Sequence, residues 1–316
     1  MAAPTTSSAL RHAPVRDWGR VPLGTTFHGD APGVAVDSQD RLYVFNRGPV
    51  PVVVFDPDGT YLRGLEGEFG RAHSANIDHE DNLWLVDDEA HVVEKRTLEG
   101  RLLLRLGTPG QPTGVYSGEP FNMPTDVAVN PRTGEIYVTD GYCNTRVHRF
   151  APDGTHIASF GSGGDGPGEF ALPHGVAILD DDRVVVCDRL NHRIQVFGAD
   201  GEFVQQWPVF HPAGVRYAHG LLYVTQLGMS GTLPPIPNLG DGVSVFDLDG
   251  DRLTRLGAPL PGGAPDQFLA PHGIAVDSRG DVYVGEVSFS WNVHGGKFAQ
   301  PPGELVCLRK WRRVEK

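Results

Sequence analysis

The sequence predicts an all-β chain folded as one six-bladed β-propeller with a central metal channel. Three observations predict it. One unit recurs six times, every copy carries strand-and-turn chemistry with no convincing helix, and histidine holds one position in alternate copies.

The copies begin "PGVAVDSQDRLYVFN", "HSANIDHEDNLWLVD", "TDVAVNPRTGEIYVTD", "HGVAILDDDRVVVCD", "AGVRYAHGLLYVTQ" and "HGIAVDSRGDVYVGE". Each opens with a short apolar run, turns at Gly, Asp or Asn, and continues into a β-branched or aromatic strand. Two further strands then meet at a turn, "DG" in most copies. Units of about 40–59 residues with four strands each are propeller blades, since solenoid coils are shorter and a TIM barrel needs amphipathic helices. The whole chain, 1–316, reads as a single domain, with residues 1–14 expected to be a flexible N-terminus. The segment Val15–Val21 is expected to pair with the last blade and close the ring, which removes a free edge. The fifth and sixth copies carry insertions at 227–242 and 288–303 that leave the same corner of the blade and could cover one mouth of the channel.

Composition narrows the partners. Gly 41 and Pro 26 suit short strands and tight turns, and the net charge of -12 argues against a nucleic-acid partner, which needs basic clusters. Cys143, Cys187 and Cys307 are too few and too scattered for a disulfide framework or a cysteine-rich zinc site. No apolar leader and no long apolar run occur, so the expectation is a cytoplasmic chain without a membrane partner. The sequence does not speak to oligomeric state.

Aligning the copies places Pro32, His73, Thr125, His174, Ala213 and His272 at one position, just before the innermost strand of each blade. Alternate blades of a six-membered ring are related by a third of a turn, so three imidazoles there converge on the axis. That is the ligand set of a catalytic zinc-type site with one open position, and another divalent transition metal would also fit. Taken singly, each histidine reads equally well as a turn or core residue. A second ring, Asn46, Asp87, Asp140, Asp188, Gln226 and Glu286, reads as scaffold that bonds backbone amides, with Asp87 or Asp140 as candidate partners for the imidazoles. Just beyond it lie Arg47, Asp88, Tyr142 and Arg189. Arginine forks suit a carboxylate-bearing small molecule, although both could instead pair with Asp87, Asp88 or Asp188. Tyr142 is a candidate base or a packing aromatic.

The strings "PTDVAVNPRTGEIYVTDGYCNTRVHRF", "GPGEFALPHGVAI" and "CDRLNHRIQVF" resemble the catalytic core of peptidyl-α-hydroxyglycine α-amidating lyase, an NHL-repeat six-bladed propeller. The likeness runs from about Pro32 to Trp311 and is densest between Pro124 and Phe197. It implies zinc on His73, His174 and His272, Tyr142 as catalytic base, and Arg47 and Arg189 on the substrate. It also implies a structural calcium held partly by backbone carbonyls matching Val34 and Ala75. Two positions depart from the family pattern. Gly273 stands where the calcium-binding aspartate would be, which weakens the case for calcium, and Ala270 stands in place of a methionine.

The expected activity is a metal-dependent carbon–nitrogen lyase that splits an α-hydroxyglycine-type carbinolamide into an amide and glyoxylate or a related acid. A lactonase-type propeller hydrolase and a non-catalytic NHL scaffold are the alternatives. Lactonase propellers favour carboxylate and amide ligands, and a scaffold needs no ligand set inside the channel.

Overall fold

A computed structural model of the chain describes residues 10–229, 234–294 and 305–314, the side chains of 293 and 294 apart. Among them are six four-stranded antiparallel sheets, one per sequence copy. Blade one runs Gly33–Val36, Leu42–Phe45, Val52–Phe55 and Tyr61–Leu65, and blades two to five begin at Ala72–Ile77, Pro124–Val129, Pro173–Ile178 and Pro212–Ala218. Blade six is built from Pro271–Val276, Val282–Glu286 and Leu308–Arg313, with His12–Val15 as its outermost strand. The innermost strands neighbour one another in sequence around the axis, and that of blade six meets that of blade one.

Turn chemistry sets the repeat. The hairpin joining the two inner strands of each blade carries a left-handed Asp or Gly, Asp40, Asp81, Gly134, Asp182, Gly220 or Gly280, at φ between 58° and 84°, and in blade five His219 joins Gly220 at 53°. Asp and Gly are among the residues that accept this conformation at least cost. In blade one the Asp37 carboxylate also accepts the N–H groups of Gln39 and Arg41 and so fixes the loop. Tyr43, Trp84, Tyr137, Tyr223 and Tyr283, from the second strands, are fully buried within the apolar clusters packed between blades.

Ring closure differs in register from the expectation. The pairing strand is His12–Val15, with His12 opposite Arg313 and Val15 opposite Lys310. Strand structure therefore begins inside the span expected to be flexible, and residues 1–9 lie outside the described residues. Asp17 and Gly19 take φ of 52° and 74°, which turns the chain away from the sheet edge. Trp18 then packs on Phe55 and Tyr283, with ring centroids 5.6 and 5.1 Å away. The apolar residues after Val15 thus fill the junction between the last and first blades. Among the described residues, no helix is long and apolar enough to cross a membrane. Within the blade-six insertion the chain makes a π-turn, Ser290–His294.

Candidate metal centre

His73, His174 and His272 lie at the starts of the inner strands of blades two, four and six, and all three are buried. Their ring centroids form a nearly equilateral triangle with sides of 4.9, 4.8 and 4.8 Å. One nitrogen from each lies within 4.8 Å of the others. Each Nδ1 contacts a backbone carbonyl of the next blade: His73 with Thr125 at 2.5 Å, His174 with Ala213 at 2.9 Å, His272 with Pro32 at 3.0 Å. A carbonyl only accepts, so each Nδ1 carries the proton and each Nε2 keeps its lone pair. The three accepting residues are the position-equivalents of the histidines in blades three, five and one. The six-fold repeat thus alternates imidazole donors with carbonyl acceptors around the axis.

The glycine after His174 and His272 has a physical reason. A Cβ at Gly175 would sit 2.6 Å from the Ala213 oxygen, and one at Gly273 would sit 2.3 Å from the Pro32 oxygen. These are the same oxygens that orient the imidazoles. Burial, the largest cause for each ring, holds all three imidazole pKa values well below the ordinary value, with neighbouring cationic groups adding to it. Neutral, similarly oriented imidazoles with free Nε2 lone pairs suit a divalent transition metal.

Above the triad opens a cavity of about 490 Å³. Much of its wall comes from the loop after the second strand in every blade but the second, through Arg47, Tyr142, Arg189, Leu227 and Val287. The Tyr142 hydroxyl is 2.9 Å from His73 Nε2 and 3.3 Å from His174 Nε2, so with the proton on Nδ1 it is the phenol that donates. Arg47 is held by Asp30 at 3.1 Å and by the Ser290 hydroxyl at 2.7 Å. Asp30 also accepts the N–H groups of Phe289 and Ser290, which fastens the start of the blade-six insertion beside the cavity. Parts of both insertions, 230–233 and 295–303, lie outside the described residues. Arg189 is 7% exposed, its Nε has no hydrogen-bond partner, and its guanidinium carbon lies 5.5 Å from the centre of the Tyr142 ring.

The acidic ring is committed to other work. Asp87 accepts the N–H groups of Gly70, Arg71 and Ala90, and Asp188 is taken by Arg193, Asn191, Gln195 and the Ala171 N–H. Asp140 bonds Asn122, Asn144 and His148. Neither Asp87 nor Asp140 partners a triad imidazole, because the neighbouring blade's carbonyls already fill that place. Asp88 pairs with Arg71, at 2.5 Å, rather than with Arg47 or Arg189.

Sequence reasoning missed Arg71, a third guanidinium lining the cavity, 6.0 Å from the Tyr142 ring centre. A signal was present: Arg71 stands two residues before His73, where the other triad histidines are preceded by Leu172 and Ala270. Cys143 lines the cavity and contacts the Met123 sulfur at 3.6 Å, and the three cysteines form no disulfide. Val34 lies buried on the inner strand of blade one, and Ala75 on that of blade two. The Ala75 carbonyl accepts Arg216 Nη2 at 2.6 Å. Together with the missing carboxylate at Gly273, that contact leaves the carbonyl pair a poor fit for calcium.

The NHL repeat family matches residues 121–150 and 170–197. Over 309 residues the chain is 31% identical to peptidylglycine alpha-amidating monooxygenase of Rattus norvegicus, covering 85% of this chain and 30% of that one. It is 32% identical over 288 residues to NHL repeat-containing protein 3 of Homo sapiens, covering 84% and 77% respectively. Against peptidyl-alpha-hydroxyglycine alpha-amidating lyase 1 of Drosophila melanogaster it is 29% identical over 303 residues, covering 88% and 52%. The chain therefore spans about a third of the amidating monooxygenases it matches. Among solved structures, a gluconolactonase from Xanthomonas campestris superposes with a TM-score of 0.59 at 18% identity over 98% of this chain and 99% of that one, a likeness of fold alone.

Proposed function

The chain belongs to the NHL-repeat propeller family that includes the peptidyl-α-hydroxyglycine α-amidating lyases, and from that premise we propose that it is a metal-dependent carbon–nitrogen lyase for a small α-hydroxyglycine-type acid. One observation carries the reading: His272 of the oriented imidazole triad, a phenol in contact with the other two rings and a guanidinium with an unpartnered Nε line one cavity.

His73, His174 and His272 would hold the metal through Nε2. When bound, such an ion supplies Lewis acidity toward a hydroxyl oxygen. Of the three cavity arginines, Arg47 is neutralised by Asp30 and Arg71 by Asp88, so Arg189 is the cation left to bind a substrate carboxylate. Arg47, fixed by Asp30 and Ser290, lines the carboxylate side and restricts its orientation. Tyr142 holds and moves the hydroxyl proton, with the Arg189 and Arg71 guanidinium groups near its ring. As the O–H proton leaves, its electron pair forms the carbonyl, the C–N bond breaks, and the amide nitrogen takes up a proton. The products are an amide and glyoxylate or a close relative. Leu227, Val287 and Trp291 offer the acyl side of the substrate an apolar wall.

The test is glyoxylate release from α-hydroxyhippurate by zinc-loaded protein. Turnover that needs both zinc and Tyr142 supports the lyase. Full zinc loading with no glyoxylate from this or related α-hydroxyglycines would overturn it.

A further inference from the structure

Deeper in the channel lies a charged arrangement that the reaction does not use. Arg216 is on the inner strand of blade five, and its bond to the Ala75 carbonyl reaches blade two. Those blades stand opposite each other in a ring of six. Arg216 occupies a position filled by Ala35, Ala128, Ala177 and Ala275 in other copies, so the charge is peculiar to blade five. Asp126, of blade three, likewise stands where four other copies have glycine, and it is buried. Its carboxylate accepts the Ser74 hydroxyl and the N–H groups of Val127 and Val176. Burial lowers the pKa of Arg216 and raises that of Asp126, while each group's charge opposes the shift of the other.

We propose that Arg216 is a tethered cation that joins opposite blades across the channel, with Asp126 as its counter-charge, in place of a bound hard divalent ion. Space and ligands both support this. The void lined by Ser74, Ala75, Asp126, Arg216 and Gly273 is about 10 Å³, room for roughly one water. Calcium takes six to eight oxygen ligands at about 2.3–2.6 Å. Here the Ala75 oxygen is engaged by a guanidinium, and the Asp126 oxygens already accept three hydrogen bonds. A carboxylate cannot be supplied from position 273 on this backbone, because its Cβ would lie 2.3 Å from the Pro32 oxygen. The chain therefore takes one metal, at the imidazoles, and braces the rest of the channel with a side chain. This does not rest on the lyase reading.

Two measurements test it. Parent protein is dialysed against millimolar CaCl2, washed, and its metals counted by mass spectrometry, with thermal melting followed with and without CaCl2. Calcium well below one equivalent and an unchanged Tm are expected; near-stoichiometric calcium with a raised Tm would overturn the proposal. Separately, Arg216→Met keeps much of the side-chain volume but strands the Asp126 charge, and its Tm should fall by roughly 5–10 °C. Melting together with the parent would remove Arg216 as a brace. Should that variant fail to fold, the calcium count on the parent still decides.

Discussion

The Pro32 oxygen, on the first blade, lies 3.0 Å from His272 Nδ1, on the last, although 240 positions separate them in the chain. A contact made where the inner strand of the last blade meets that of the first therefore sets the direction of one imidazole, so packing at that joint and the geometry of the triad are coupled.

Gly273→Ala tests the coupling. Its Cβ would press on that oxygen at 2.3 Å, so the carbonyl has to move and His272 loses its orientation. Expected are a loss of about 2–3 kcal/mol in stability and a roughly 10- to 100-fold weaker zinc affinity. Melting and competition with a zinc indicator measure the two; an unaltered zinc affinity would separate closure from the site.

His174→Ala removes one of the three imidazoles proposed to hold the metal. Zinc counted by mass spectrometry should fall from near one per chain to a small fraction, because two imidazoles rarely retain the ion through dialysis. Retention of full zinc would place the metal elsewhere.

Tyr142→Phe keeps the ring between the two guanidinium groups and deletes the oxygen 2.9 Å from His73 Nε2. Turnover should drop about 100- to 1,000-fold with zinc content unchanged. Equal turnover would take the phenol out of the mechanism.

Arg189→Met removes the guanidinium whose Nε is unpaired. Catalytic efficiency toward an α-hydroxy acid substrate should fall about 100-fold, the scale of a desolvated charge-assisted contact. Its neutral methyl ester should react about equally with both proteins. Parallel losses on acid and ester would show that Arg189 does not read the carboxylate.

Burial keeps the triad imidazoles neutral in the fold, with pKa values well below the ordinary one. The unfolded chain protonates them from about pH 6.5 downward, so it binds more protons than the native state there. Stability of the metal-free protein therefore falls as pH drops below about 6.5, by about 1.4 kcal/mol per pH unit for each such ring. His148 and His211 shift in the same direction, so the informative quantity is the difference between the parent and His174→Gln. Denaturant melts across pH 5–7 should show a shallower slope in the variant; equal slopes would mean that His174 is protonated in the fold.

The repeat made the blades legible because turn chemistry is local: an Asp or Gly at the left-handed position of each inner hairpin needs only its own neighbours. The triad was legible for a different reason, since equal positions in a repeat become equal places around an axis. Arg71 was overlooked because it lies outside the aligned ring and meets the cavity only through the turn of the chain before His73. The closing strand was placed a few residues late because Val15, Trp18 and Val21 are residue types that suit a strand, and only the packing of Trp18 against Phe55 and Tyr283 makes that segment a plug.

Alone, the sequence determined the six units, their strand pattern and the histidine in every second one, since these follow from local propensity and periodicity. Tertiary structure decided which carbonyl faces each imidazole, which cavity arginine keeps an unpartnered Nε among the described residues, and that Arg216 reaches Ala75 across the channel. Those outcomes depend on close approaches between residues far apart in the chain. Pairing of buried charges is set by which groups the closed ring brings within a few ångströms of each other, and no local pattern records that distance.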